Sequence, residues 1–144
     1  MIRIRMSGSQ DGEHVIDIWR RAVDATHDFL TAADREAIDK DVTEFLPKVP
    51  LWVAVDVQNR PIAFMLLDGS HMEALFVDPA CRNMGIGRLL VKHALNLHPD
   101  LSTDVNEQNH QAVGFYKKMG FQRTGRSEKD GQGRPYPLIH LQKA

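Results

Sequence analysis

Arg82, Gly85 and Gly87 stand in the run FVDPACRNMGIGRLL, between an apolar stretch and an amphipathic one. Glycines at this spacing let a backbone approach a partner without Cβ obstruction. A turn that enters a helix also offers unpaired N–H groups and the positive end of the helix dipole. Arg82 and Arg88 add positive charge on either side. The chemistry of such a turn is to hold an anion. Two familiar phosphate loops do not match it: a Walker A loop needs Gly-Lys-Ser/Thr where Gly87-Arg88-Leu89 stands, and a dinucleotide fingerprint needs Gly or Ala where Leu90 stands. Groups able to move protons flank the turn. His71 and Glu73 precede it, and Asp104 and Tyr116 follow it.

These residues need elements to hold them. IRIRM (2–6) alternates as a strand. Val15, Ile18, Trp19, Ala22 and Val23 fall on one helical stripe. Thr31-x-x-Asp34 opens a second helix like a capping box. Ile38, Val42, Phe45 and Leu46 would be its apolar face, and Pro47 must end it. LWVAVDV (51–57) and IAFMLLD (62–68) read as a hairpin apolar on both faces, and HMEALFV (71–77) as the next strand. Alternate strand positions share a face, so His71, Glu73, Leu75 and Val77 are expected to point the same way. Ile86, Leu89, Leu90, Ala94 and Leu97 mark a helix that Pro99 stops. LSTDVN (101–106) is a strand, and QNHQAVGFYKKM (108–119) is a helix closed by Gly120. The stretch from Phe121 and YPLIHL (136–141) are strands around the turn-rich EKDGQGRP (128–135). The order β-α-α-β-β-β-α-β-α-β-β describes one mixed α/β domain over residues 1–144.

Composition narrows the classes. A chain of 144 residues with 42% hydrophobic and 26% charged residues has an ordinary globular balance. A net charge of −1 argues against a general nucleic-acid surface or a basic membrane face. The apolar runs are too short to span a bilayer, and MIRIRMSGSQ lacks a secretion-type apolar region. The single Cys81 leaves no internal disulfide and suits a reducing cytosol. The seven histidines lack tight ligand spacing. The expectation is a cytoplasmic protein, monomer or homodimer, with no metal, nucleic acid or membrane.

Two segments carry a resemblance. LFVDPACRNMGIGRLL resembles the strand–Arg/Gln-x-x-Gly-x-Gly/Ala–helix signature of the GNAT superfamily of acetyl-coenzyme A-dependent N-acetyltransferases. NEQNHQAVGFYKKMGF resembles its second signature, Asn-x-x-Ala followed by Phe-Tyr-x-x-x-Gly-Phe. Both lie on the expected elements. VDATHDFL and FLPKVPLWVAV look like the small bacterial YjaB-type branch of that family. The resemblance implies a GNAT-type α/β (α+β) fold. It would be a mixed sheet of about seven strands, splayed between the fourth and fifth and flanked by about four helices.

It also implies roles. Arg82, Asn83, Met84, Gly85, Ile86, Gly87 and Arg88 would hold the pyrophosphate of acetyl-CoA. The backbone of Leu75, Phe76 and Val77 would bond its pantetheine arm, and the Asn109 amide would donate to it, with helix capping as the alternative. Tyr116 stands where the family has the tyrosine that protonates the leaving sulfur, with a packed core aromatic as the alternative. An alkyl amine of pKa about 10.4 must lose a proton before it attacks. His71, Glu73 and Asp104 are each candidate bases, and an amine arriving neutral or losing its proton through water would need none. His27, Phe29 and Asp104 would face the acceptor, with Tyr136 on the opposite wall. The acceptor is a primary amine, with protein or peptide lysine favoured over a small molecule. Two competing classes use the same turn: a non-catalytic acyl-CoA sensor, and a structural domain with an accidental glycine turn. Tyr116 and Glu73 favour the enzyme, since neither rival needs them.

Overall fold

The stripe Val15, Ile18, Trp19, Ala22 and Val23 is buried on α1 (Gly12–Thr26). It packs with Val53 and Val55 of β2 (Trp52–Val55) and Phe64 of β3 (Pro61–Asp68). β1 (Arg3–Met6) pairs antiparallel with β2, and β2 with β3. The computed structural model describes residues 1–144. The remaining elements are α2 (Ala32–Phe45), β4 (His71–Val77), α3 (Ile86–Leu97), β5 (Ser102–Asn106), α4 (His110–Lys118), β6 (Phe121–Ser127) and β7 (Leu138–Lys143). Seven strands form one mixed sheet in the order β1-β2-β3-β4-β5-β7-β6, with the four helices and the chain order that the periodicities predict. No helix is long and apolar enough to cross a membrane.

The chain packs as two compact units. The first is Met1–Leu66 with Ala74–Val91, and the second is Leu67–Glu73 with Lys92–Ala144. In the first, α2 departs from its expected character. The Thr31 hydroxyl caps it by accepting from Asp34 N at 3.1 Å. Yet none of its residues is fully buried, and Phe45 is exposed rather than part of an apolar face. Ile38 and Val42 pack half-buried, while Leu46 is buried in the 3-10 turn Leu46–Lys48 that contains Pro47. Charge ties α2 to α1 instead. Arg20 donates to both Asp39 oxygens at 2.8 and 3.0 Å. Arg35 bridges Asp39 and Asp24 at 2.8 Å each, and its guanidinium lies 4.9 Å from the Trp19 ring centre.

In the second unit β5 pairs antiparallel with β7, and β7 with β6. β7 starts at Leu138, two residues later than the apolar run. Tyr136 N turns back to Arg134 O at 2.8 Å and Pro137 O accepts from Glu107 N, so Tyr136 is a buried loop residue. The parallel pairing of β4 with β5 consists of His71↔Ser102 and Met72↔Thr103, both at the start of the two strands.

Candidate active site

Asp78 builds the turn after β4. Its N–H donates to Ile62 O at 2.9 Å, and its carboxylate accepts from Ala80 N at 2.9 Å, capping the 3-10 turn Pro79–Cys81. Arg21 of α1 grips both carboxylate oxygens at 2.8 and 2.7 Å. Sequence reading missed this pair because 57 residues separate its members. An aspartate before Pro79 was the available hint. The backbone then turns left-handed at Asn83 (φ 65°) and Gly85 (φ 74°). Glycine adopts that conformation without penalty, and a Cβ at Gly85 would meet nothing within 4 Å. Asn83, Met84 and Gly85 are exposed, Arg82 and Gly87 half-buried and Arg88 exposed, while buried Ile86 anchors the helix start. The first α-helical bond runs from Leu89 N to Gly85 O at 3.0 Å. The N–H groups of Ile86, Gly87 and Arg88 therefore have no intrahelical acceptor. An open space beside unpaired donors and two arginines suits a pyrophosphate.

Beside this turn in the first unit, Leu75, Phe76 and Val77 are half-buried on β4. The Phe76 ring lies 5.5 Å from Phe64 and 6.4 Å from His27, and His27 lies 5.2 Å from Phe29. His27 closes α1 by donating its N–H to Val23 O at 2.8 Å, and its Nδ1 meets Thr26 Oγ1 at 2.7 Å. Burial pushes its pKa below the usual imidazole value, opposed weakly by Asp28, so the ring is neutral at pH 7. The two expected acceptor-facing residues thus share a cluster with the strand expected to hold the pantetheine arm.

The second unit holds the groups that move protons. Tyr116 is buried on α4 between Phe115 and Phe121, with ring centres 5.1 and 5.5 Å away. Thr103 Oγ1 donates to Met72 O at 2.8 Å. Burial raises the phenol's pKa above its ordinary value, and the interaction with Thr103 lowers it by less. Asn109 caps α4, its Oδ1 accepting from Ala112 N at 3.2 Å, which leaves the side-chain N–H groups for another partner.

On the other side of β5 from Thr103, a polar chain crosses four strands. Ser102 Oγ lies 2.8 Å from His71 Nδ1, and His71 Nε2 lies 3.4 Å from Asp104 Oδ2. Asp104 Oδ1 lies 2.6 Å from His140 Nδ1, whose Nε2 lies 2.7 Å from Ser127 Oγ. The expected candidates His71 and Asp104 are therefore brought together, whereas Glu73 is exposed and outside the chain. Sequence reading missed His140, Ser102 and Ser127. The signal available was the closing pair of strands, in which Asp104 sits opposite His140.

Comparison with known proteins identifies the family. The Acetyltransferase (GNAT) domain family model matches residues 17–136. The chain is 62% identical to peptidyl-lysine N-acetyltransferase YjaB of Salmonella typhimurium over 141 residues, 98% of this chain and 97% of that protein. The solution structure of apo-form YjaB from Escherichia coli superposes with a TM-score of 0.96 at 56% identity, covering 100% of this chain and 98% of that one. PaiA N-acetyltransferase of Thermoplasma acidophilum, in complex with coenzyme A, shares the fold with a TM-score of 0.70 at 18% identity, covering 100% of this chain and 99% of that one. The chain belongs to the GNAT family and is an acetyltransferase.

Proposed function

We infer that this protein moves the acetyl group of acetyl-CoA to the side-chain amine of a lysine in a protein or peptide, by direct attack in a ternary complex. The exposed left-handed turn at Gly85, with open space above it and unpaired donors behind it, carries the reading. The acceptor follows the relatives, whose names specify peptidyl lysine. One catalytic domain over 1–144, working in the cytoplasm, is the corresponding organisation.

Acetyl-CoA supplies an acyl thioester that is already activated. Residues 82–88 hold its pyrophosphate, the backbone of Leu75, Phe76 and Val77 holds the amide-bearing arm, and the Asn109 amide steadies it. The backbone N–H and C=O groups of an extended strand can bond such an arm as if it were a strand. Tyr116 donates a proton to the departing sulfur, and its raised pKa keeps that proton available at neutral pH. His71, backed by Asp104, takes the proton of the incoming ammonium, with Glu73 as the rival base. His27 and Phe29 line the acceptor side, with Tyr136 opposite.

Release of free thiol from acetyl-CoA over a panel of lysine peptides and small amines tests this. Thiol release with lysine peptides supports it. Tight acetyl-CoA binding without transfer to any amine would favour the sensor reading.

A further inference from the structure

We propose that His140, a residue outside both family signatures, is a positioning residue for proton removal: it pins Asp104, and Asp104 receives the imidazolium formed at His71 Nε2. This rests on the acetyl-transfer reading above.

The geometry fixes hydrogens as well as atoms. His140 Nδ1 faces a carboxylate oxygen at 2.6 Å, so that nitrogen carries the hydrogen and donates. Nε2 of neutral His140 is then bare, and Ser127 Oγ–H donates to it over 2.7 Å. A serine, an imidazole and a carboxylate thus hold one another in a single tautomer, as a third group does in catalytic triads. Room for the ring comes from β6. Gly125 sits opposite His140 next to a bulge, and a Cβ there would lie 3.3 Å from His140 Cδ2. His71 is held differently. Ser102 occupies its Nδ1 at 2.8 Å, while its Nε2 stands 3.4 Å from Asp104 Oδ2, too far for a good hydrogen bond. In the tautomer whose Nδ1–H is given to Ser102, Nε2 keeps a lone pair beside a carboxylate that is already fixed.

The step balances simply. An N–H bond of the ammonium breaks, its electron pair stays on nitrogen, and the proton goes to His71 Nε2. The new imidazolium meets Asp104, an attraction absent before the proton arrives. The proton leaves to solvent after turnover, since Asp104, His71 and His140 are all about one-third exposed. Few other charges face this chain. β4 carries exposed Glu73, β6 carries Arg123 and Arg126, the latter held by Glu107 at 2.8 Å, and β7 carries Lys143 beyond His140.

Two variants separate positioning from packing. His140→Leu removes the donor to Asp104, whereas His140→Asn keeps an amide N–H near the place of Nδ1. With a lysine peptide, His140→Leu is expected to lower kcat/KM at least about tenfold near pH 7, with the deficit closing as pH rises and the amine arrives neutral. KM for acetyl-CoA should hold, and His140→Asn should recover most of the rate. In the protein without substrates, the His71 titration followed by NMR should move in His140→Leu and return in His140→Asn. That readout stands even if no lysine peptide is acetylated, so failure of the acceptor reading and failure of this one are distinguishable. An unmoved His71 titration, or a rate deficit equal at every pH and equal in both variants, overturns the proposal.

Discussion

Tyr116 shows how far a motif reaches and where it stops. The Phe-Tyr pair placed it on the last helix, but the sequence held no sign that burial would raise its pKa. Removing its hydroxyl tests the proposed role. Tyr116→Phe is expected to lower turnover by about 10²-fold, the lower end for general acid catalysis, with acetyl-CoA affinity by calorimetry unchanged. The ring and its packing remain, so Tm should move only slightly. The pH sign is fixed by the direction of the shift. A raised folded-state pKa means full stability below the unfolded value of about 10, lost as pH rises past it. The wild type should therefore weaken above about pH 10 more steeply than Tyr116→Phe, measured by urea unfolding. Equal slopes, or wild-type turnover in the variant, would return Tyr116 to a packing role. The polar chain around His140 was hidden for another reason. Its members lie 13 and 36 residues apart, and only the sheet order β5-β7-β6 brings them together.

Elements were easier to read than their attachments. Periodicity placed α1 with its buried face, because a buried stripe leaves a record in the spacing, and it placed α3 with Ile86, Leu90 and Ala94 buried but Leu89 and Leu97 exposed. For α2 the apolar positions Ile38 and Val42 pack only half-buried and Phe45 is exposed, and Arg20, Asp39, Arg35 and Asp24 hold the helix through charge. Arg20 and Arg35 beside Asp39 hold its carboxyl below the usual carboxylate range. That stabilisation is present above the unfolded value of about 4 and is lost as pH falls below it. Asp39→Asn is expected to speed amide exchange across α2 at pH 7 while leaving β2 and β3 protected, and acidification of the wild type should do the same. Uniform exchange across both would mean that packing holds α2. The loop into α3 has a cleaner test. Gly85→Asn and Gly85→Asp impose the same left-handed strain, but only the second places an anion where pyrophosphate would sit. The aspartate should bind acetyl-CoA at least about tenfold more weakly than the asparagine, a repulsion of at least about 1.4 kcal/mol. Equal affinities in calorimetry would take the loop out of the binding site.

At the scale of the molecule, the chain order of strands and helices was legible. The parallel pairing of β4 with β5 was not read from the residues; the family resemblance implied only a splay between the fourth and fifth strands. The sequence did not disclose how β7 inserts between β5 and β6, because antiparallel order is settled by which polar and apolar faces meet in three dimensions. That insertion places His140 opposite Asp104 and so sets the proton chemistry proposed for one face of the second unit. The central claim is that this arrangement moves an acetyl group to lysine. Incubation of the protein with isotope-labelled acetyl-CoA and lysine peptides, followed by mass spectrometry and a thiol assay, addresses it directly. The account predicts labelled acetyl on the lysine side-chain nitrogen with one free coenzyme A released per acetyl transferred. Saturable acetyl-CoA binding with no labelled lysine in any peptide would contradict it.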